Sequence, residues 1–363
     1  MPARPPAVYL HVGPPKTGTT FIQDVLWLNR DTLAKRGLGV PGTKLVDHFH
    51  AALDVRAISF GGHDDPAVPG AWDRLAAKAR STEHSSVITH EVLAGANEEQ
   101  VGRAVESLAP AEVHVVYGAR DLARQLPAVW QEGLKNRRTR SFERFLDITL
   151  DPAAPSDRGF WRSQQPLEVL ARWAKHVPAD RIHVVTLPPP TVSGGQLLWR
   201  RFCSAVGVDG SGLDLDVARS NASLSVVWSE VLRQLNSQLP DDLDWPTYER
   251  TVKRRFNRLA DSQTGGRRQK VPLRHREVVL SRAEAIITGL QGAPYDVIGD
   301  LTDLRPADEG FGKASPAASA KVAHAAVSLL AEILPETERR DSAAGDRARV
   351  LLGKLQRRGQ GAS

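Results

Sequence analysis

A chain of 363 residues with 41% apolar residues is long enough for one large α/β domain or two small ones, and for a sizeable core. Its one cysteine, Cys203, excludes an internal disulfide framework and, beside Leu197, Leu198 and Phe202, reads as a small buried residue on a helix. No run approaches the ~18 apolar residues of a membrane span, so no integral membrane segment is expected. The formal charge of +6 invites a polyanionic partner. Met1 to Pro6 is followed by no apolar leader other than the first strand, which gives a cytoplasmic expectation.

Val8 to Val12 is a short apolar run that gives way to Gly13-Pro14-Pro15-Lys16-Thr17-Gly18-Thr19-Thr20. Phe21, Ile22, Val25 and Leu26 then recur at a helical period, so the stretch reads as strand, tight loop and helix. Such a loop is an anion cradle: the N–H groups of Thr17 to Thr20 open the helix with the positive end of its dipole, and Lys16 adds a full charge. The nucleoside-triphosphate pattern G-x-x-x-x-G-K-[ST] starts well at Gly13 and Gly18 but meets Thr19 where it requires lysine. Pro15-Lys16-Thr17-Gly18-Thr19-Thr20 instead resembles the P-K-[ST]-G-T-[ST] signature of the sulfotransferases that use 3′-phosphoadenosine 5′-phosphosulfate (PAPS). That resemblance implies that Lys16 serves the bridging oxygen of the donor while Thr17, Gly18, Thr19 and Thr20 hold its 5′ end. A sulfuryl group carries less charge than a phosphoryl group, so no metal is expected in this scheme.

The helix after the loop runs to about Lys35 and stops at Gly37. Gly39 to Gly70, rich in Gly, His and Asp, reads as a loop lining an acceptor pocket, and His48-x-His50 is a weak metal signal within it. A helix from about Trp72 to Arg80 leads to the strand Ser85 to Glu91, which ends on two residues able to move protons, His90 and Glu91. The ending Ile88-Thr89-His90 resembles the histidine-using branch of the sulfotransferases, which favours His90 over Glu91 as the base. Asn97 with Gln100 opens the next helix, to Ala109.

The strand Val113 to Tyr117 ends in Gly118-Ala119-Arg120-Asp121. The family resemblance gives Arg120 the 3′-phosphate of the nucleotide, but the serine expected eight residues later is Ala128; Arg124, Gln125 and Lys135 are nearby substitutes. Arg137 to Phe160 reads as an insertion, followed by a helix from about Gln165 to His176, the last clear strand at Arg181 to Leu187, and a helix from Gln196 to Val206. This alternation argues an α/β fold with a mainly parallel sheet covered on both faces, and the family resemblance implies a P-loop-like, three-layer topology.

In the last third, Arg219 to Leu224 resembles an actinobacterial-type branch of the family, Asn221 or Ser223 caps a helix to about Leu239, and Trp245 to Ala260 forms another. The basic run from Arg250 to Arg276 is interrupted by a single acid, Asp261; without aromatic interleaving it reads as a phosphate site plus solvated surface rather than a nucleic-acid interface. Within it the resemblance points to Gly265, Gly266, Arg267 and Arg268 as a late loop closing over the 3′-phosphate. From Pro306 the chain is an Ala-rich tail with apolar stripes at Val322, Ala326, Leu329, Leu330 and Ile333 and at Val350, Leu351 and Leu355, read as peripheral helices. The expected division is an α/β domain over 1–305 and a helical tail over 306–363. The resemblance implies transfer of a sulfuryl group from PAPS to a hydroxyl or amine of a small-molecule, carbohydrate or lipid acceptor. A nucleotide-dependent kinase and a catalytically silent nucleotide-binding interaction protein are the alternatives, and the oligomeric state is unspecified.

Overall fold

The computed structural model describes residues 6–153, 155, 158–189, 194–217, 223–262, 266–314, 316–331 and 333. Its central sheet is built from β1 (Ala7–Gly13), β2 (Leu38–Gly39), β3 (Ser85–Thr89), β4 (Glu112–Ala119), β5 (Ile182–Thr186) and, after the short β6 (Val271–Pro272), β7 (Asp296–Ile298). The order is β2-β3-β1-β4-β5-β7 and every pairing is parallel. A separate two-stranded sheet joins β6 to β8 (Phe311–Gly312).

The apolar runs read as strands because both faces of the sheet are covered and alternate side chains enter different cores. Leu10, Val12, Ile88, Val115 and Val184 face one core, roofed by helices Ala71–Arg80, Glu98–Glu106, Leu122–Lys135 and Pro166–Ala174. Val87, Val116 and Val185 face the other, where helices Thr19–Leu28 and Gly194–Val206 contribute Ile22, Val25, Leu26, Trp199 and Phe202. Strands β2 and β3 lie on one side of β1, and β4, β5 and β7 on the other. The crevice outside the carboxyl ends of β1 and β4 is therefore the topological switch point, where open α/β sheets hold their ligands.

Several elements depart from the sequence reading. The first helix breaks into Thr19–Leu28 and Arg30–Lys35 at Asn29, whose side-chain amide donates to the carbonyls of Val25 and Asp214. The expected loop 39–70 contains a helix, Val46–Val55, headed by Asp47, which accepts from the N–H of Thr43 and Lys44. The insertion 137–160 carries the helix Phe142–Leu150, capped by Ser141. β5 is not the last strand: the three-residue β7 pairs beside it, too short to show a period of its own. Ser225 caps the helix Val226–Gln238, ahead of which Asn221 lies outside the described residues. The helix expected from Trp245 to Ala260 is Trp245–Tyr248, a π-helical segment Glu249–Lys253 and Arg254–Ser262. In the tail, a helix over 319–331 buries Val322, Ala325 and Leu329 and leaves Leu330 exposed; Val350, Leu351 and Leu355 lie outside the described residues.

Candidate active site

The loop after β1 is shaped by three positive φ angles, at Gly13 (91°), Lys16 (71°) and Gly18 (81°). Thr17 Oγ1 donates to the Pro14 carbonyl at 2.7 Å and closes the turn from within. Helix Thr19–Leu28 then starts with no side-chain cap and no acid in its first turn, so no side chain competes for its leading donors. Gly13 is needed twice over. A Cβ there would stand 2.6 Å from Cα of Glu91, and φ 91° strains any other residue. Gly13→Ala is expected to cost about 1–3 kcal/mol of stability and to displace the turn bearing Glu91; a thermal melt beside an activity assay checks it, and an unchanged melt and rate would contradict it.

Arg120, at the end of β4, stands behind this loop. One of its terminal nitrogens donates to the Lys16 carbonyl at 2.7 Å, which braces the residue in its left-handed conformation. Burial, with the neighbouring Arg124 charge, lowers Arg120 to about 10, and its Nε has no hydrogen-bond partner. Asp121 caps helix Leu122–Lys135 and pairs with the Arg124 side chain, which also donates to the Pro188 carbonyl. Gln125 points inward, donating to the Pro15 carbonyl and to Gln164 at 2.6 Å each. Of the side chains near Ala128, Gln125 is thus committed to the inner side of the loop and Arg124 to Asp121 and Pro188.

Gly265 lies outside the described residues. Gly266 rests against Ser225, the Arg267 carbonyl accepts from Val226 N–H at 2.9 Å, the Arg267 guanidinium reaches the Pro316 carbonyl, and Arg268 is exposed. These contacts tie the late loop to the start of helix Val226–Gln238. That region is joined in turn to helix Leu122–Lys135, since Gln131 donates to the Leu224 carbonyl and to Ser229.

At the end of β3 the strand stops at Thr89, one residue short of His90. His90 N–H still bonds the His11 carbonyl at 3.1 Å, but its side chain turns back and Nδ1 accepts from Val92 N–H at 3.2 Å, capping the 3₁₀ turn Glu91–Gly95. That bond assigns the neutral ring's proton to Nε2. Burial lowers His90, against the raising influence of Glu91, so the ring is neutral near pH 7. The Glu91 carboxylate accepts from Gln23 at 3.2 Å. Burial would raise its pKa; His90, its own backbone N–H, Gln23 and the Lys16 charge outweigh that and hold it below the usual glutamate value.

Two residues central to this geometry carry no signal in the sequence reading of the site. Lys16 Nζ sits 2.6 Å from Glu132 of helix Leu122–Lys135, and Lys253 reaches the other oxygen of that carboxylate at 3.5 Å and Asn136 at 2.7 Å. Burial pushes Glu132 up, but the two lysine charges and the Lys16 hydrogen bond overcome it and bring its pKa to about 2. Lys253 also lies 5.5 Å and 5.2 Å over the rings of Phe60 and Trp245. From Trp245 the rings continue through Phe60 and Phe49 to His90, at centroid spacings of 5.0, 5.2 and 4.9 Å. Only the tertiary fold brings Lys253 to a glutamate 121 positions earlier, and its π-helical segment is a backbone form frequent at functional sites.

His48 and His50 do not form a pair. His48 is buried between the Pro41 carbonyl and Thr89 N–H, while His50 turns to Asp65. Among the described residues no group of three or more His, Cys, Asp or Glu is arranged to hold a metal, and no helix is long and apolar enough to cross a membrane.

Fold and loop together define an α/β protein with a strand–loop–helix turn and an uncapped helix start at the switch point of a parallel sheet. No family model matches the chain, and no curated protein matches it. Among solved structures it is similar to a sulfotransferase from Alicyclobacillus acidocaldarius, with 15% identity, a TM-score of 0.40, and coverage of 60% of this chain and 87% of that one.

Proposed function

We propose that the chain is a sulfotransferase that moves a sulfuryl group from PAPS to an acceptor hydroxyl or amine. The observation that carries the reading is the meeting of a lysine and an ionised glutamate at an uncapped helix start: Lys16 precedes the open first turn, and Glu91 lies against Gly13 of the same loop within reach of the Lys16 charge. The residues fit an anionic nucleotide, because that first turn keeps its donors clear of side chains and the nearest cation is half-exposed. When bound, the donor supplies an activated sulfuryl group attached to a phosphate leaving group.

Thr17 to Thr20 orient that end of the nucleotide with backbone donors, and Lys16 stabilises the negative charge that develops on departure. Arg120 holds the loop in shape and, with Arg267 and Arg268, supplies positive charge for the 3′-phosphate. Glu91 takes the proton of the acceptor. We assign it this role over His90, whose Nδ1 lone pair is engaged by Val92 N–H and whose Nε2 bears the proton, so the neutral ring has no lone pair to offer. The expected result is that 3′-phosphoadenosine 5′-phosphate raises the melting temperature by several degrees without added metal, while ATP with Mg²⁺ does so far less. Equal stabilisation by ATP with Mg²⁺ favours the kinase; stabilisation with no sulfated product in mass spectra of treated extracts favours the silent binder.

A further inference from the structure

Three arginines from three separate elements converge on the turn Glu91–Gly95. Arg56, ending helix Val46–Val55, donates to the Val92 carbonyl at 3.0 Å, and its guanidinium lies over Gly95, where a Cβ would come within 3.0 Å of both terminal nitrogens. Arg162, in the short helix Trp161–Gln164, donates through Nε to the Gly95 carbonyl at 2.8 Å. Arg172, in helix Pro166–Ala174, reaches the carbonyls of Ala96, Ala94 and Arg162 at 2.9, 3.0 and 2.8 Å.

Carbonyl oxygens satisfy these N–H groups without supplying a counter-charge. Among the described residues no carboxylate is in salt-bridge contact with Arg56, Arg162 or Arg172; the acid felt by Arg172 is Glu168, one turn earlier on its own helix. Burial and the charges of the other two guanidiniums lower Arg56 to about 10, and its buried Nε has no partner. Half-buried like charges in this number are costly unless an anion joins them, and guanidinium forks are the side chains best shaped to grip one.

We propose that Arg56, Arg162 and Arg172 form a binding site for an oxyanion, a carboxylate or sulfate borne by the acceptor. Only the word acceptor rests on the sulfotransferase reading. Gly95 is four residues beyond Glu91 on the same 3₁₀ turn, which rises ~2 Å per residue, so the backbone gripped by the three arginines is about 8 Å along the turn from that of Glu91. The acceptor class is then an acidic molecule rather than a neutral one.

The test needs neither donor nor turnover, so its failure is distinct from failure of the transferase reading. Melting temperatures are measured in sodium sulfate, glucose 6-sulfate and sodium glucuronate against sodium chloride of matched ionic strength, for the wild type, Arg162→Gln and Lys16→Ala. Saturable stabilisation is expected in the wild type and in Lys16→Ala, with an apparent affinity at least about tenfold weaker in Arg162→Gln. Should Arg162→Gln not fold, Arg162→Lys keeps the charge but loses the fork, and the same weakening is expected. An acceptor-borne anion requires glucose 6-sulfate or glucuronate to bind at least as well as inorganic sulfate; a response to inorganic sulfate alone overturns the acceptor assignment. A response lost in Lys16→Ala and kept in Arg162→Gln belongs to the phosphate loop and overturns the site, as does no saturable response in the wild type.

Discussion

Lys16→Ala is expected to lower turnover by about 10²–10³-fold, or somewhat beyond, with modest change in affinity for 3′-phosphoadenosine 5′-phosphate. The reason is positional. In the proposed scheme Lys16, whose Nζ lies 2.6 Å from Glu132 beside the loop, serves the charge that accumulates on the departing phosphate, while the backbone donors of Thr17 to Thr20 assigned to the ground state survive the change. Its partner Glu132 is not orphaned, since Lys253 remains on that carboxylate. Arg120→Ala should behave differently: it removes the brace on the Lys16 carbonyl, so nucleotide binding weakens and the melting temperature falls. Turnover by mass spectrometry of sulfated product, alongside nucleotide melts, separates the two. A fully active Lys16→Ala variant would end the proposed mechanism.

Glu91→Gln is expected to lower turnover by ~10²–10⁴-fold at saturating donor, and His90→Ala by less. Glutamine keeps the shape and the contact with Gln23 but has no carboxylate to take a proton. His90→Ala removes the acceptor of Val92 N–H, which loosens the turn without removing the base. Because Glu91 is held below the usual glutamate value, it stays ionised across neutral pH; the rate should be flat there and fall only as acid protonates the carboxylate. The reverse order of the two variants would return the role to His90, as the Thr89-His90 ending suggests.

The local parts of this molecule are written in consecutive residues. Gly13 and Gly18 occur where the backbone needs positive φ, the run Val8 to Val12 is apolar except for His11, whose buried ring meets Thr89, because β1 is covered on both faces, and Asn97 with Gln100 forms the capping box of the next helix. Each of these is a short-range constraint, so the sequence by itself determined the strand, the loop, the helix and the parallel α/β class. The three residues of β7 and the helix hidden at Val46–Val55 were not legible, since one is too short for a period and the other is masked by flanking Gly, His and Asp.

What only the tertiary structure decided is which charges meet. Lys16 and Lys253 each reach Glu132 across more than a hundred positions, and Arg120 turns to the Lys16 carbonyl beneath the loop. Arg56, Arg162 and Arg172, unremarkable in three separate segments, come together on one turn. The exchange of preference between His90 and Glu91 has the same origin. A residue's type states what it can donate or accept, but the Val92 N–H that occupies the His90 lone pair is in place only because β3 ends at Thr89 and the chain tightens into a 3₁₀ turn. Pairing and protonation depend on distance and burial, and those are properties of the packed fold rather than of the order of residues along it.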